Sequence, residues 1–144
     1  FQAVAKVADV VDDGSPATVG QTDNQFDLRL LMARSFQLAG YPAFVDVQAG
    51  YRYRAGAPPS EWVLDLTFGI RPQPRWLVLV QNFNVASDGR GGPGFPATRY
   101  SKAQASIVYE FADGWSVQAG LLTTFAGLNA WREQGAVLGV WRRF

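Results

Sequence analysis

The chain has 144 residues, about one domain's worth, and its 13 basic and 12 acidic residues nearly cancel and lie scattered along it, which excludes a nucleic-acid footprint and a basic membrane-surface patch. Histidine and cysteine are both absent, removing disulfides, thiolate metal sites, the commonest general base and every Ser-His or Cys-His nucleophile pair. Hydrophobic residues make up 48%, yet no run approaches the roughly 18 to 20 apolar residues of a membrane-spanning helix.

Alternation at period two predicts eight strands, at 1–11, 25–38, 42–55, 61–71, 75–86, 99–112, 115–126 and 131–144. The first opens on Phe1 in what reads as mid-strand, with no signal peptide ahead of it, which implies residues upstream. The loop DDGSPATVGQTDN follows, where Asp12 and Asp13 are adjacent and solvated. The second segment, FDLRLLMARSF, carries Asp27 and Arg29 at alternate positions. In VDVQAGYRYR, Asp46, Gln48, Gly50, Arg52 and Arg54 share one face while Val45, Val47, Ala49, Tyr51 and Tyr53 share the other. EWVLDLTFGIR repeats this, with Trp62, Leu64, Leu66, Phe68 and Ile70 opposite Glu61, Asp65, Thr67 and Arg71. RWLVLVQNF is apolar on both faces and leaves its register open. KAQASIVYEF sets Lys102, Gln104, Ser106 and Glu110 on its polar side, and WSVQAGLLTTF sets Ser116, Gln118, Gly120 and Thr124 there. In the last segment, VLGVWRRF, Leu138, Val140 and Phe144 fall in one register.

The connections alternate in length: LAGYP, RPQP and ADG are short, whereas DDGSPATVGQTDN, AGAPPSE, SDGRGGPGFPAT and AGLNA are longer. All tight turns therefore lie at one end of the sheet, as in up-and-down outer-membrane barrels with short periplasmic turns. A soluble barrel of the lipocalin type shows the same alternation with its faces reversed. Three features favour the membrane form. Trp62, Trp76, Tyr100, Tyr109, Phe111, Trp115, Phe125 and Phe144 fall near strand ends, as interfacial girdles require. The polar face carries both signs of charge, with only two lysines in the chain. The last residue is an outward aromatic. The terminal strand thus resembles the C-terminal signal strand of bacterial outer-membrane proteins, read by the barrel-assembly machinery: Ala136, Leu138, Val140 and Phe144 match, and Arg142 stands where an aromatic is usual, with Trp141 next to it to compensate.

From about Asn24 to Phe144, the stretches FDLRLLMARSF, PAFVDVQAGYRYR, LDLTFGIRPQPRWLVLVQNFN and GGPGFPATRYSKAQASIVYEF resemble the XagA-like outer-membrane proteins and, more loosely, the MetA-type proteins of phenol-degradation clusters. The resemblance implies a barrel longer than this chain, of about twelve strands, and associates it with envelope transport of aromatic compounds or surface polysaccharide export. It implies no catalytic residue and no substrate.

The glycine-rich GRGGPGFP at 89–96 lacks the Lys-Ser/Thr pair and helix start of a phosphate loop, and reads as a long external loop able to fold inward as a constriction or to meet a partner. The inward carboxylates Asp27, Asp46, Asp65, Glu110 and Glu133 share their face with arginines or Lys102, and pairing keeps them ionised, which is the wrong preparation for a general acid. Counting registers from the turns brings Asp27 and Arg29 towards Arg52 and Arg54, those towards Glu61 and Asp65, and Lys102 towards Glu133 across the strand holding Thr124.

The expectation is an all-β, antiparallel, up-and-down transmembrane barrel: residues 1–144 form one barrel domain of at least eight strands in the bacterial outer membrane. Its function is porin-like passage or export of a small molecule or envelope polymer, without catalysis, cofactor or metal. Its partners are membrane lipid, the assembly machinery, a small-molecule or polysaccharide substrate and other envelope subunits. A non-transporting structural or accessory barrel is the alternative, and a soluble ligand-binding barrel the third.

Overall fold

In a computed structural model describing residues 2–4 and 24–143, the described residues form one antiparallel up-and-down sheet without a helix. Seven long strands carry it: β2 (Gln25–Leu38), β3 (Tyr41–Arg54), β4 (Glu61–Gln73), β5 (Trp76–Ser87), β6 (Arg99–Ala112), β7 (Trp115–Leu128) and β8 (Gln134–Arg142). Each pairs with the next in sequence, and the three-residue β1 (Gln2–Val4) lies along β2 at the edge. The remainder of the expected first strand, the loop holding Asp12 and Asp13, and Phe144 are outside the described residues. The last strand is shorter than expected, starting at Gln134; the loop before it opens on Asn129, whose left-handed φ of 51° turns the chain at the end of β7.

The turns explain the topology. Ala39 and Gly40 both have positive φ, 50° and 85°, the signature of a type I′ hairpin turn whose twist matches its strands. Pro74-Arg75 and Asp113-Gly114 make the other two tight turns, each beside a register shift that reseats the ladder. The connections 55–60, 88–98 and 129–133 stand at the opposite end.

The sheet curls but stays open: no ladder joins β8 to β1 or β2 among the described residues. Its curvature is tight enough that one cavity of about 540 Å³ is lined from every long strand, running from Ala33 on β2 to Val137 and Trp141 on β8. The concave face carries Asp27, Arg29, Gln48, Asp46, Arg52, Glu61, Asp65 and Thr67, aligned by the pairing register. The convex face carries most of the exposed large apolar side chains, with Leu30 70% exposed and Leu121 71%, against 3% for Asp27 and 7% for Glu61; Leu31, in the row of Gln48 and Asp65, is an exposed leucine on the concave side.

The ambiguous β5 is settled by its ladders. Leu77, Leu79, Gln81, Phe83 and Val85 face inward, and Val78, Val80, Asn82 and Asn84 outward. Leu77 and Leu79 are buried with Val108, and Phe44 packs on them, so the concave face has an apolar cluster near its tight-turn end rather than being polar throughout. Phe44 can lie there because its cross-strand neighbour is Gly69, where a Cβ would run into the ring. Asn82 and Asn84 interrupt the apolar convex face, but they are satisfied locally: Asn84 donates to the Leu64 carbonyl at 2.9 Å and Asn82 to that of Lys102 at 3.1 Å, while the Ser101 hydroxyl donates to Asn84 at 2.7 Å.

Two assignments change. Tyr100 pairs with Val85, in the row of Val63 and Gly50, and therefore faces inward rather than joining an outer girdle. Trp141 pairs with Ser116 and its indole donates to Gln118 at 3.0 Å, so it too faces inward and cannot stand in for an aromatic at Arg142 on the opposite face. Arg142 instead sits over the Trp115 ring at 4.9 Å.

Candidate functional site

The concave face has two zones. The first, towards the longer loops, is a belt of six charges across β2, β3 and β4. Arg29 Nε donates to Asp27 at 2.9 Å, and its Nη1 reaches Asp65 on β4 at 3.0 Å. It passes over β3 because residue 50 is glycine: a Cβ there would meet Arg29 Cγ at 2.8 Å. Arg52 bridges Asp27 at 3.1 Å and Glu61 at 3.2 Å, and Arg54 holds Glu61 at 2.8 Å. Three arginines thus meet three carboxylates with no charge left over, a network in which each member is ordered by two elements. Arg54 Nε alone is buried without a partner among the described residues.

Two further pairs stand outside the belt. Lys102 reaches Glu133 at 2.6 Å, beside Thr124, whose amide donates to the Glu133 carbonyl at 2.8 Å; the same ammonium lies 5.0 Å above the Tyr100 ring. At the tight-turn end, Glu110 and Arg143 are 3.5 Å apart. Asp46 differs from what its neighbours on the polar face suggested. It has no ion pair among the described residues, and its partner is the Gln48 amide at 2.9 Å.

The second zone, around Asp46, is the cavity lined from all seven long strands. A single cross-strand row sets Ala33, Asp46, Thr67, Gln81 and Gln104 side by side on β2 to β6. The side-chain amides face one another across strands: Gln104 donates to Gln81 at 3.0 Å and Gln81 to Thr67 at 3.3 Å. Sequence reasoning placed Gln48, Gln104 and Gln118 on the polar side but attached no role to them; Gln104 stands in the Asp46 row, whereas Gln48 pairs with Asp65 and Gln118 with Val108 in other rows of the same face.

The glycine-rich loop packs onto the β3–β4 loop instead of entering the curl. The Gly92 amide donates to the Ala57 carbonyl at 2.7 Å, and a Cβ at Gly91 would meet Pro59 Cδ at 2.7 Å. Tyr51 donates to Asp88 at 2.8 Å and Asn129 to the Ala97 carbonyl at 2.9 Å, so three loops interlock above the belt. On β8, Leu138 and Val140 are exposed on the convex face, in register with Ala119 and Val117. Comparison with protein-family models, with the curated proteins and with solved structures finds no match to this chain.

Proposed function

We propose that this chain is an outer-membrane β-barrel, or the greater part of one, that passes or exports a small molecule or envelope polymer without performing catalysis. One observation carries the reading: the polarity of the sheet is inverted relative to a protein folded for water, with large apolar side chains exposed on the convex face and charges buried on the concave one. In water, Leu28, Leu30, Met32, Leu121 and Leu138 would each forfeit about 1.5 to 3 kcal/mol of burial; in acyl chains they lose nothing. Strands of 12 to 14 residues from β2 to β7 exceed the roughly 9 to 11 that a tilted strand needs to cross a bilayer. Trp76, Phe111 and Trp115 at the tight-turn end of the convex face suit an interfacial girdle.

On this reading the partners are outer-membrane lipid, the assembly machinery that would read the C-terminal sequence with Leu138, Val140 and Phe144, other envelope subunits, and a small-molecule or polysaccharide solute. The kinship with XagA-like and MetA-type proteins belongs to the same proposal and stands on the strand and turn stretches alone. The lining candidates are Asp27, Arg29, Asp46, Arg52, Arg54, Glu61, Asp65, Lys102, Glu110 and Glu133. A second reading, a non-transporting structural barrel, is favoured by one feature: the six belt charges satisfy one another and could fill a closed interior.

Planar-bilayer recording separates the two. Passage requires currents through the refolded wild type, and Arg52→Ala and Arg54→Ala, singly and together, then alter conductance or ion selectivity. A silent wild type favours the structural reading.

A further inference from the structure

The concave cavity holds a carboxylate that has no counter-ion among the described residues. Asp46 accepts from the Gln48 amide at 2.9 Å and has no cation within ion-pairing distance among the described residues. The guanidinium of Arg29, the belt cation on the neighbouring strand, is already held by Asp27 and Asp65. Several lining donors are already engaged: Gln104 donates to Gln81 and to Ser106 at 3.0 Å each, Gln81 to Thr67 at 3.3 Å, and the Trp141 indole to Gln118 at 3.0 Å. The lining also has acceptor capacity that no hydrogen bond among the described residues uses, namely the second oxygen of Asp46 and the side-chain carbonyls of Gln48 and Gln104. Apolar surface from Phe44, Phe83 and Trp141 completes the lining.

We propose that this cavity is a binding site for an organic primary ammonium bearing an apolar group. An ammonium carries three donors and no acceptor, which complements a carboxylate flanked by spare carbonyls. It supplies the missing counter-charge, and a charge-assisted hydrogen bond is about twice as strong as a neutral one. The aromatic side chains take the apolar part and attract the cation through their faces. An anion meets the carboxylate's repulsion there, and a neutral alcohol leaves the charge uncompensated. The volume of about 540 Å³ falls within the range of about 300 to 1,000 Å³ usual for small-molecule sites. The inference deepens the proposed function by naming a solute class, and rests on the concave face being water-accessible.

The test is calorimetric titration of the refolded chain in detergent with three probes of one shape: 2-phenylethylammonium, 2-phenylethanol and phenylacetate. The ammonium binds at least tenfold more tightly than the other two, and Asp46→Asn removes that preference. Thr67→Lys, which places a cation opposite Asp46 in the ladder, abolishes ammonium binding with Asp46 intact, so the idea remains testable should either variant fold poorly. Equal binding of all three probes, or undiminished ammonium binding by a folded Asp46→Asn or Thr67→Lys chain, overturns the site. Calorimetry needs no current: a chain that binds the ammonium but is silent in bilayers retains the site and loses passage, and a conducting chain indifferent to the ammonium does the reverse.

Discussion

Single residues fix the two features on which the rest depends, the turn and the belt. Ala39 holds a positive φ of 50° without the glycine or asparagine that a type I′ turn prefers. Left-handed backbone costs an ordinary L-residue roughly 1 to 2 kcal/mol, so Ala39→Asn is expected to stabilise the fold by up to about 1 kcal/mol, read as a higher urea midpoint in detergent. Gly50 matters for space rather than φ. Gly50→Ala pushes on Arg29 and breaks its reach to Asp65. Asp27 is the acceptor for two arginines and is nearly inaccessible; Asp27→Ala leaves Arg29 only Asp65 and Arg52 only Glu61, with one positive charge in excess, and should cost about 2 to 3 kcal/mol. In the same unfolding measurement, a cost near zero would mean that the arginines re-pair without it. The belt charges were legible from their alternate spacing because period two fixes a face and the tight turns fix the register. That Asp46 has no ion pair among the described residues was not, because the alternation that puts arginines on its face says nothing about their reach, and Arg29, Arg52 and Arg54 are held in the belt.

At the scale of elements, β3, β4 and β7 were readable because one face of each is mostly polar. β5 was not: an apolar run on both faces has no period to assign, and its orientation came only from its neighbours' ladders. Tyr100 and Trp141 were misplaced for a related reason, since aromatics occur on either face and nearness to a strand end does not choose between them. The convex face makes a prediction for β4 in particular. Arginine at Leu66 near the bilayer midplane is expected to cost about 2 to 4 kcal/mol in folding into vesicles, whereas arginine at Thr67, on the other face, should cost far less. Equal costs would remove the distinction between the faces. On β8, Leu138→Asp should lower the yield of assembled protein in cells, scored by heat-modifiable migration, more than Gly139→Ser on the opposite face does.

For the molecule as a whole, the all-β meander and the segregation of its loops followed from the alternating connection lengths, and the interlocking of three loops above the belt did not. Such loop contacts join segments up to 37 residues apart in sequence, and two of the three end on a backbone carbonyl, a group that carries no sequence signature. The open, curled sheet with charge inside and hydrocarbon outside makes physical sense when lipid surrounds it and water or side chains fill it. Since the chain has no cysteine, single cysteines at 64, 66 and 67 give a clean test. After folding into lipid vesicles, each is exposed to a water-soluble maleimide. Lipid around the convex face leaves positions 64 and 66 unlabelled while 67, on the cavity wall, reacts; ready labelling at 64 and 66 with protection at 67 would contradict the membrane reading outright.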